Sequence, residues 1–111
     1  MPKGPIQIGI VARAALAHFA LLLRVRRKEK RLTINELADR LGASIPTVRK
    51  MLEGAPTVAI GTYFEAAHIL GVSLFDPDSD RFAVTASKTA EIESLLPKRV
   101  VKREEDVNDD F

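Results

Sequence analysis

Apolar residues recur along this chain at helical spacing, and the pattern resolves into a succession of helices. Ala12, Leu16, Phe19 and Leu23, widened by Ala15 and Leu22, form one stripe and predict a first helix from near Ile10 to about Lys30. Leu37, Ala38 and Leu41 repeat the pattern over a shorter stretch. Thr33 opens it as N-cap, with Glu36 placed three residues on as in a capping box, and Gly42 closes it. Ser44 then caps another short helix, with Pro46 in its first turn, where a missing N–H removes no intrahelical bond. Val48, Met51 and Leu52 give that helix an apolar side, and Gly54 ends it before Pro56. Thr57 is the expected cap of a fourth helix from Val58 to Leu70, carrying Ile60, Phe64, Ala67 and Leu70 and stopped by Gly71. Ser73, Leu74 and Phe75 predict a brief fifth helix, broken by Asp76-Pro77-Asp78-Ser79-Asp80, and residues 81–84 read as a short extended stretch or a loop. Ser87 to Leu96, with Ala90, Ile92, Leu95 and Leu96, predicts a last helix ended by Pro97.

Both ends depart from this pattern. Residues 1–9, with Pro2, Gly4 and Pro5, read as a flexible arm, although Ile6, Ile8 and Ile10 alternate as in a short strand that could pair across a dimer. Residues 97–111 form a charged tail, basic as far as Arg103 and acidic beyond it, whose blocks of like charge predict disorder. The expected organisation is therefore all-α: an arm over 1–9, a helical domain over 10–76, a loop and C-terminal helix over 77–96, and the tail.

Two short helices joined at Gly42-Ala43, with small Ala38 where they touch, make a helix-turn-helix. Its second helix keeps Pro46, Thr47, Arg49 and Lys50 off the apolar side, so it is suited to lie in the major groove of double-stranded DNA. Arg49 or Lys50 would donate to guanine, while Ile45, Pro46 and Thr47 would meet a thymine methyl or a base edge. The basic run from Arg24 to Arg31 suits a helix C-terminus on dipole grounds alone, and it also places cations where phosphates would pass. Expected phosphate contacts are Arg27, Arg31, Thr33, Asn35 and Ser44, with Thr57 and Thr62 at the start of the fourth helix. Gly61 reads either as close packing or as room for a phosphate.

Composition narrows the setting. Of 111 residues 46% are apolar but only 5% aromatic, so Leu, Ile, Val and Ala must build the core. Cysteine is absent, which excludes disulfides and thiolate zinc sites and suits a reducing compartment. Net charge is +2, unevenly spread: all 17 Lys and Arg lie at or before Arg103, against ten acidic residues there, while five acids follow it. A basic body with an acidic tail fits phosphate binding by the body and a separate role for the tail. His18 and His68 lack metal-ligand spacing. Asp76, Asp78 and Asp80 alternate as in a calcium loop, but Arg81 and Ser87 stand where such a loop needs Gly and Glu. No cofactor, metal or catalytic constellation is predicted, and the chain reads as a non-enzyme. The uncharged run from Ala14 to Leu23 is too short for a membrane span, so the expected location is the cytoplasm, associated with the nucleoid.

The segment from Ala14 to Phe75 resembles the helix-turn-helix domain of the Cro/repressor (Xre) family. That resemblance implies a five-helix repressor-like DNA-binding domain, to which this chain adds a C-terminal helix and a disordered tail. The stretch Gly54-Ala55-Pro56-Thr57-Val58-Ala59-Ile60-Gly61-Thr62, with Leu70-Gly71 after it, is similar to HipB-like antitoxins, which pair with HipA-type kinase toxins. The chain departs from the pattern at Ile34, where Gln is common, at Leu52, where Glu is common, and at Ala55, where Asp is usual. Its end, with Asp109, Asp110 and Phe111, also resembles the carboxy ends of these antitoxins. The resemblance implies a dimeric repressor of a palindromic operator that autoregulates a toxin–antitoxin operon, with Asp109, Asp110 and Phe111 docking a HipA-like serine/threonine kinase. The alternatives are a stand-alone regulator of a phage or mobile element, and an interaction module without DNA binding.

Overall fold

The computed structural model of the chain describes residues 7–102, and every regular element in that range is a helix. In chain order these are α1 (Ile10–Glu29), α2 (Ile34–Leu41), α3 (Ile45–Leu52), α4 (Ile60–Leu70) and α5 (Ser79–Leu95). The chain divides between Phe75 and Asp76 into two units, the first holding α1 to α4 and the second α5.

In the first unit α2 and α3 pack on each other and both meet other helices of the unit, α3 touching α1 and α2 touching α4. Leu23, Leu37, Val48, Met51 and Leu70 are fully buried where the four helices converge. Each such side chain contributes roughly 1.5–3 kcal/mol when it leaves water, which is what holds helices of eight residues that would not persist alone. Phe19 stacks on Tyr63 at a ring distance of 5.8 Å and meets Phe64 edge-on, joining α1 to α4.

All four of these helices end the same way. The residue after the C-cap, or the cap itself, turns into the left-handed region, and its N–H and that of its successor bond back to the last turn, as Ala43 does to Ala38 and Ala55 to Lys50. Gly42, Gly54 and Gly71 hold this position after α2, α3 and α4, with φ of 65°, 79° and 75°. After α1 it is held by Arg31, at φ 54°.

Sequence and structure part at three places. Thr57 does not cap α4. Ala59 does, without a side-chain bond, because Val58 is drawn partly into the core and the Tyr63 hydroxyl donates to the Ala55 carbonyl at 2.7 Å, fixing the loop ahead of the helix. Ser73–Phe75 forms no helix, Leu74 and Phe75 lying in bends. The final helix starts at Ser79, not Ser87, and takes in residues 81–84, so the extended reading of that stretch fails. The cause is Asp78, whose carboxylate accepts the N–H groups of Asp80 and Arg81 and caps the helix. Asp76 accepts from Arg81 through two bonds, at 2.7 and 2.9 Å. That guanidinium, more than the Asp78 N–H, holds the Asp76 carboxyl below the usual carboxylate range. The expected strand at Ile6 and most of the amino-terminal arm lie outside the described residues, as does the tail beyond Lys102.

Candidate nucleic-acid interface

Two capped helices and the turn between them set the geometry. The Thr33 hydroxyl accepts the Glu36 N–H at 3.1 Å, and the Glu36 carboxylate accepts the Thr33 N–H at 2.9 Å, so the predicted capping box is formed. The backbone bond from Thr33 does most to keep the Glu36 carboxyl below its ordinary range. Ser44 caps α3 by accepting the Thr47 N–H at 3.2 Å and donates its own hydroxyl to Thr47 Oγ1 at 2.8 Å. Both helix starts are thus fixed by side chains on the surface of the motif.

Burial then sorts the residues of α3. Val48, Met51 and Leu52 are buried, whereas Pro46, Arg49 and Lys50 are exposed on the opposite side. Ile45 and Thr47 are half-buried, Ile45 against the core and Thr47 bonded to its cap, so they flank the open face rather than lead it. Among the expected phosphate contacts, Arg31, Thr33, Asn35, Ser44 and Thr57 are exposed, and Thr62 is half-buried. The three residues expected to dock a partner, Asp109, Asp110 and Phe111, lie outside the described residues.

Arg49 does not stand alone. It shares a shallow cleft of about 350 Å³ with Arg24, Arg27 and Lys28 of α1, with Ile34 and Leu52 as its apolar lining and Glu53 as its acidic side. The cations of α1 differ in how free they are. Arg24 Nη1 donates to the Leu52 carbonyl at 2.5 Å, Arg26 Nε to the Leu70 carbonyl at 3.1 Å, and Arg27 Nη1 to the Leu32 carbonyl at 2.8 Å. These three guanidiniums therefore satisfy carbonyls left over at the ends of α3 and α4 and in the turn that follows α1. Arg27 also buries its Nε without a hydrogen-bond partner. Arg24 and Lys28 were not singled out from the sequence as site residues, though their i, i+3, i+4 spacing with Arg27 places all three on one helix face.

At the start of α4, a Cβ added to Gly61 would meet nothing within 4 Å, so close packing does not account for that glycine. The helix opens there without a side-chain cap, leaving its first N–H groups toward solvent. Tyr63 is buried and its hydroxyl is taken by Ala55, which removes it from the exterior. His18 and His68 are exposed. Among the described residues no group of three or more His, Cys, Asp or Glu could hold a metal ion, and no helix is long and apolar enough to cross a membrane.

A family model described as a helix-turn-helix domain matches residues 18–78, which take in α2, α3 and α4 entire together with part of α1. No curated protein and no solved structure matches the chain.

Proposed function

The chain belongs to the helix-turn-helix domain family, and from that premise we infer that it is a sequence-specific repressor of the Xre type that reads a palindromic operator as a homodimer. DNA binding and transcription regulation come with the family. The observation that carries the finer reading is the outward side of α3, where Arg49 and Lys50 are exposed opposite the buried Val48, Met51 and Leu52. In this reading Arg49 and Lys50 donate to base edges, with Ile45, Pro46 and Thr47 at the margins of the same contact. Arg31, Thr33, Asn35 and Ser44, together with Thr57 and Thr62 at the head of α4, position the motif on the phosphates, and Arg27 lends the outer part of its guanidinium. Two copies are required because one such helix reads only a few base pairs, and half-sites a helical turn apart multiply the discrimination.

We further propose that the protein works in the cytoplasm as an antitoxin, restraining a HipA-like serine/threonine kinase through Asp109, Asp110 and Phe111 and repressing its own operon. The resemblance of residues 54–62 and of the acidic carboxy end to HipB-like antitoxins supports this reading.

A gel-shift assay on DNA from the protein's own promoter tests the first part. Replacing Arg49 and Lys50 by Ala should abolish the shift while the helical circular dichroism is retained, and unchanged affinity at moderate salt would remove α3 as the reading helix. Deleting residues 104–111 tests the second part. Kinase binding should weaken while DNA binding holds or strengthens, since five acidic groups leave with the segment. If no kinase is encoded beside the protein, a stand-alone regulator of a phage or mobile element takes the antitoxin's place.

A further inference from the structure

α1 has two apolar sides, and the fold uses one. Leu16, Ala20 and Leu23 face the core of the first unit. Around the other side runs a second stripe, Val11, Ala14, His18, Leu22 and Val25, at steps of three or four residues, with Val11 84%, Leu22 38% and Val25 44% exposed. A helix apolar on both sides is ordinarily covered on both. We propose that this outer face of α1 is the surface on which a second copy of the chain docks, the two α1 helices lying antiparallel about a two-fold axis near His18.

The order of side chains along the stripe argues for a second copy and for that direction. Going from His18 toward the amino end, the stripe carries small residues, Ala14 and Ala15. Going toward the carboxy end, it carries large ones, Leu21 and Leu22. An antiparallel pair turned about His18 sets each copy's Leu22 beside the other's Ala14, Leu21 beside Ala15, and Val11 beside Val25. A parallel pair would crowd Leu on Leu and leave a gap between alanines. The patch is therefore complementary to itself under the one rotation that a two-fold dimer allows.

Charge points the same way. The stripe carries no formally charged side chain between Val11 and Val25, and Arg13 lies roughly 140° around the helix from His18. Arg24 and Arg27 lie roughly 120° and 180° around the helix from His18, and Arg26, the nearer one, is turned to the Leu70 carbonyl of its own unit. His18 is the one polar group at the centre. Across the axis two imidazoles can share an N–H···N bond, a device that fixes the register of paired helices.

This inference deepens the dimeric reading above and rests on it. The test exploits a chain without cysteine, in which each engineered thiol reports alone. His18→Cys should form a disulfide-linked dimer under mild oxidation. Val11→Cys alone should cross-link about tenfold more slowly or less, because it would lie about 21 Å from its own copy, beyond disulfide reach. Mixing Val11→Cys with Val25→Cys protein should restore the cross-link. Leu22→Glu should weaken the dimer at least about tenfold in sedimentation equilibrium while the circular dichroism stays helical. A dimer that persists with His18→Cys unlinked, or that ignores Leu22→Glu, overturns the α1 surface and leaves dimeric operator binding standing. A full-length chain that stays monomeric at all concentrations overturns both.

Discussion

Arg31→Gly should make this protein more stable and a weaker DNA binder. Four helices end in one hydrogen-bonded pattern, and three of them use glycine in the left-handed position that the pattern requires. Arg31 alone occupies it with a side chain, at φ 54°, between Arg31 N→Lys28 O at 3.1 Å and Leu32 N→Arg27 O at 3.1 Å. Holding a non-glycine residue there costs about 1–2 kcal/mol. Glycine removes that cost but gives the unfolded chain more freedom, which takes back about 0.5–1 kcal/mol. The balance favours the variant by about 0.5–1 kcal/mol, equivalent to roughly 2–8 °C in the midpoint of thermal unfolding for a domain of this size. The same substitution deletes an exposed cation beside the Thr33 cap. If Arg31 neutralises a phosphate, the slope of log affinity against log salt should become shallower by about one unit, uniformly across operator sequences.

Differential scanning calorimetry and a salt series of DNA titrations on the same two proteins read both quantities. A lower unfolding midpoint would mean that the Arg31 side chain contributes more to the folded state than its backbone strain costs. An unchanged salt slope would remove Arg31 from the interface. A residue in a costly conformation with no packing role points to use elsewhere, and the two readouts separate that use from an accident of sequence.

Three further outcomes follow from the geometry. Arg24→Ala should lower stability by about 1–2 kcal/mol, since it leaves the Leu52 carbonyl without its charged donor; a stable variant with a shallower salt slope would make Arg24 a phosphate contact instead. Gly61→Ala should raise stability by up to about 1 kcal/mol, because the position is open and φ is unexceptional, while DNA affinity falls severalfold if a phosphate approaches the head of α4. Equal affinity in a gel shift would end the anion-site reading there. As pH falls from neutrality, thermal melts should hold level down to the ordinary carboxylate range and drop from there: the depressed Glu36 value means that its stabilisation is fully present above the unfolded pKa and is lost as pH falls from it to the folded one. Glu36→Gln should flatten part of that drop, and an unaltered acid limb would detach the capping box from stability.

How much of this was legible depended on whether a residue's role was set by its neighbours in sequence. The capping box at Thr33, the Ser44 cap, Pro46 in the first turn and the glycines at 42, 54 and 71 all act within a few residues, and each was readable from the chain. Thr57 looked equally good as a cap. What displaced it is a bond from Tyr63 across eight residues and the burial of Val58, neither of which has a local signature. The start of α5 was missed for the opposite reason. Its helix buries nothing, so apolar spacing was silent, and the acids read as a breaker were the cap. The left-handed turn at Arg31 could not have been found, because the signal for such a helix end is glycine. Of the candidate interface, the α3 face was readable by helical spacing. The cleft joining Arg49 to Arg24, Arg27 and Lys28 depends on how α1 meets α3 and was not.

The basic run at the end of α1 shows why counting charges in a sequence overstates what DNA can use. From Arg24 to Arg31 the chain offers six basic residues within eight positions, and the simplest reading sends them all to phosphates. Three of the six have backbone carbonyls as partners, and those carbonyls belong to Leu52, Leu70 and Leu32. Each is a group that a helix end or turn would otherwise leave to water, so the guanidiniums tie the ends of α3 and α4 to α1. Arg26 carries an ion pair to Glu29 besides, at 3.0 Å. Lysine could not replace them without loss, because a planar fork can donate inward to a carbonyl while keeping other N–H groups outward. The orientation of α3 therefore depends on the same run that borders the cleft holding Arg49. Neutralising Arg24 or Arg27 would disturb both together, whereas the side chains of Lys28, Lys30 and Arg31 have no hydrogen bond to another described residue, and on the proposed reading the sequence-independent part of affinity falls mainly to them.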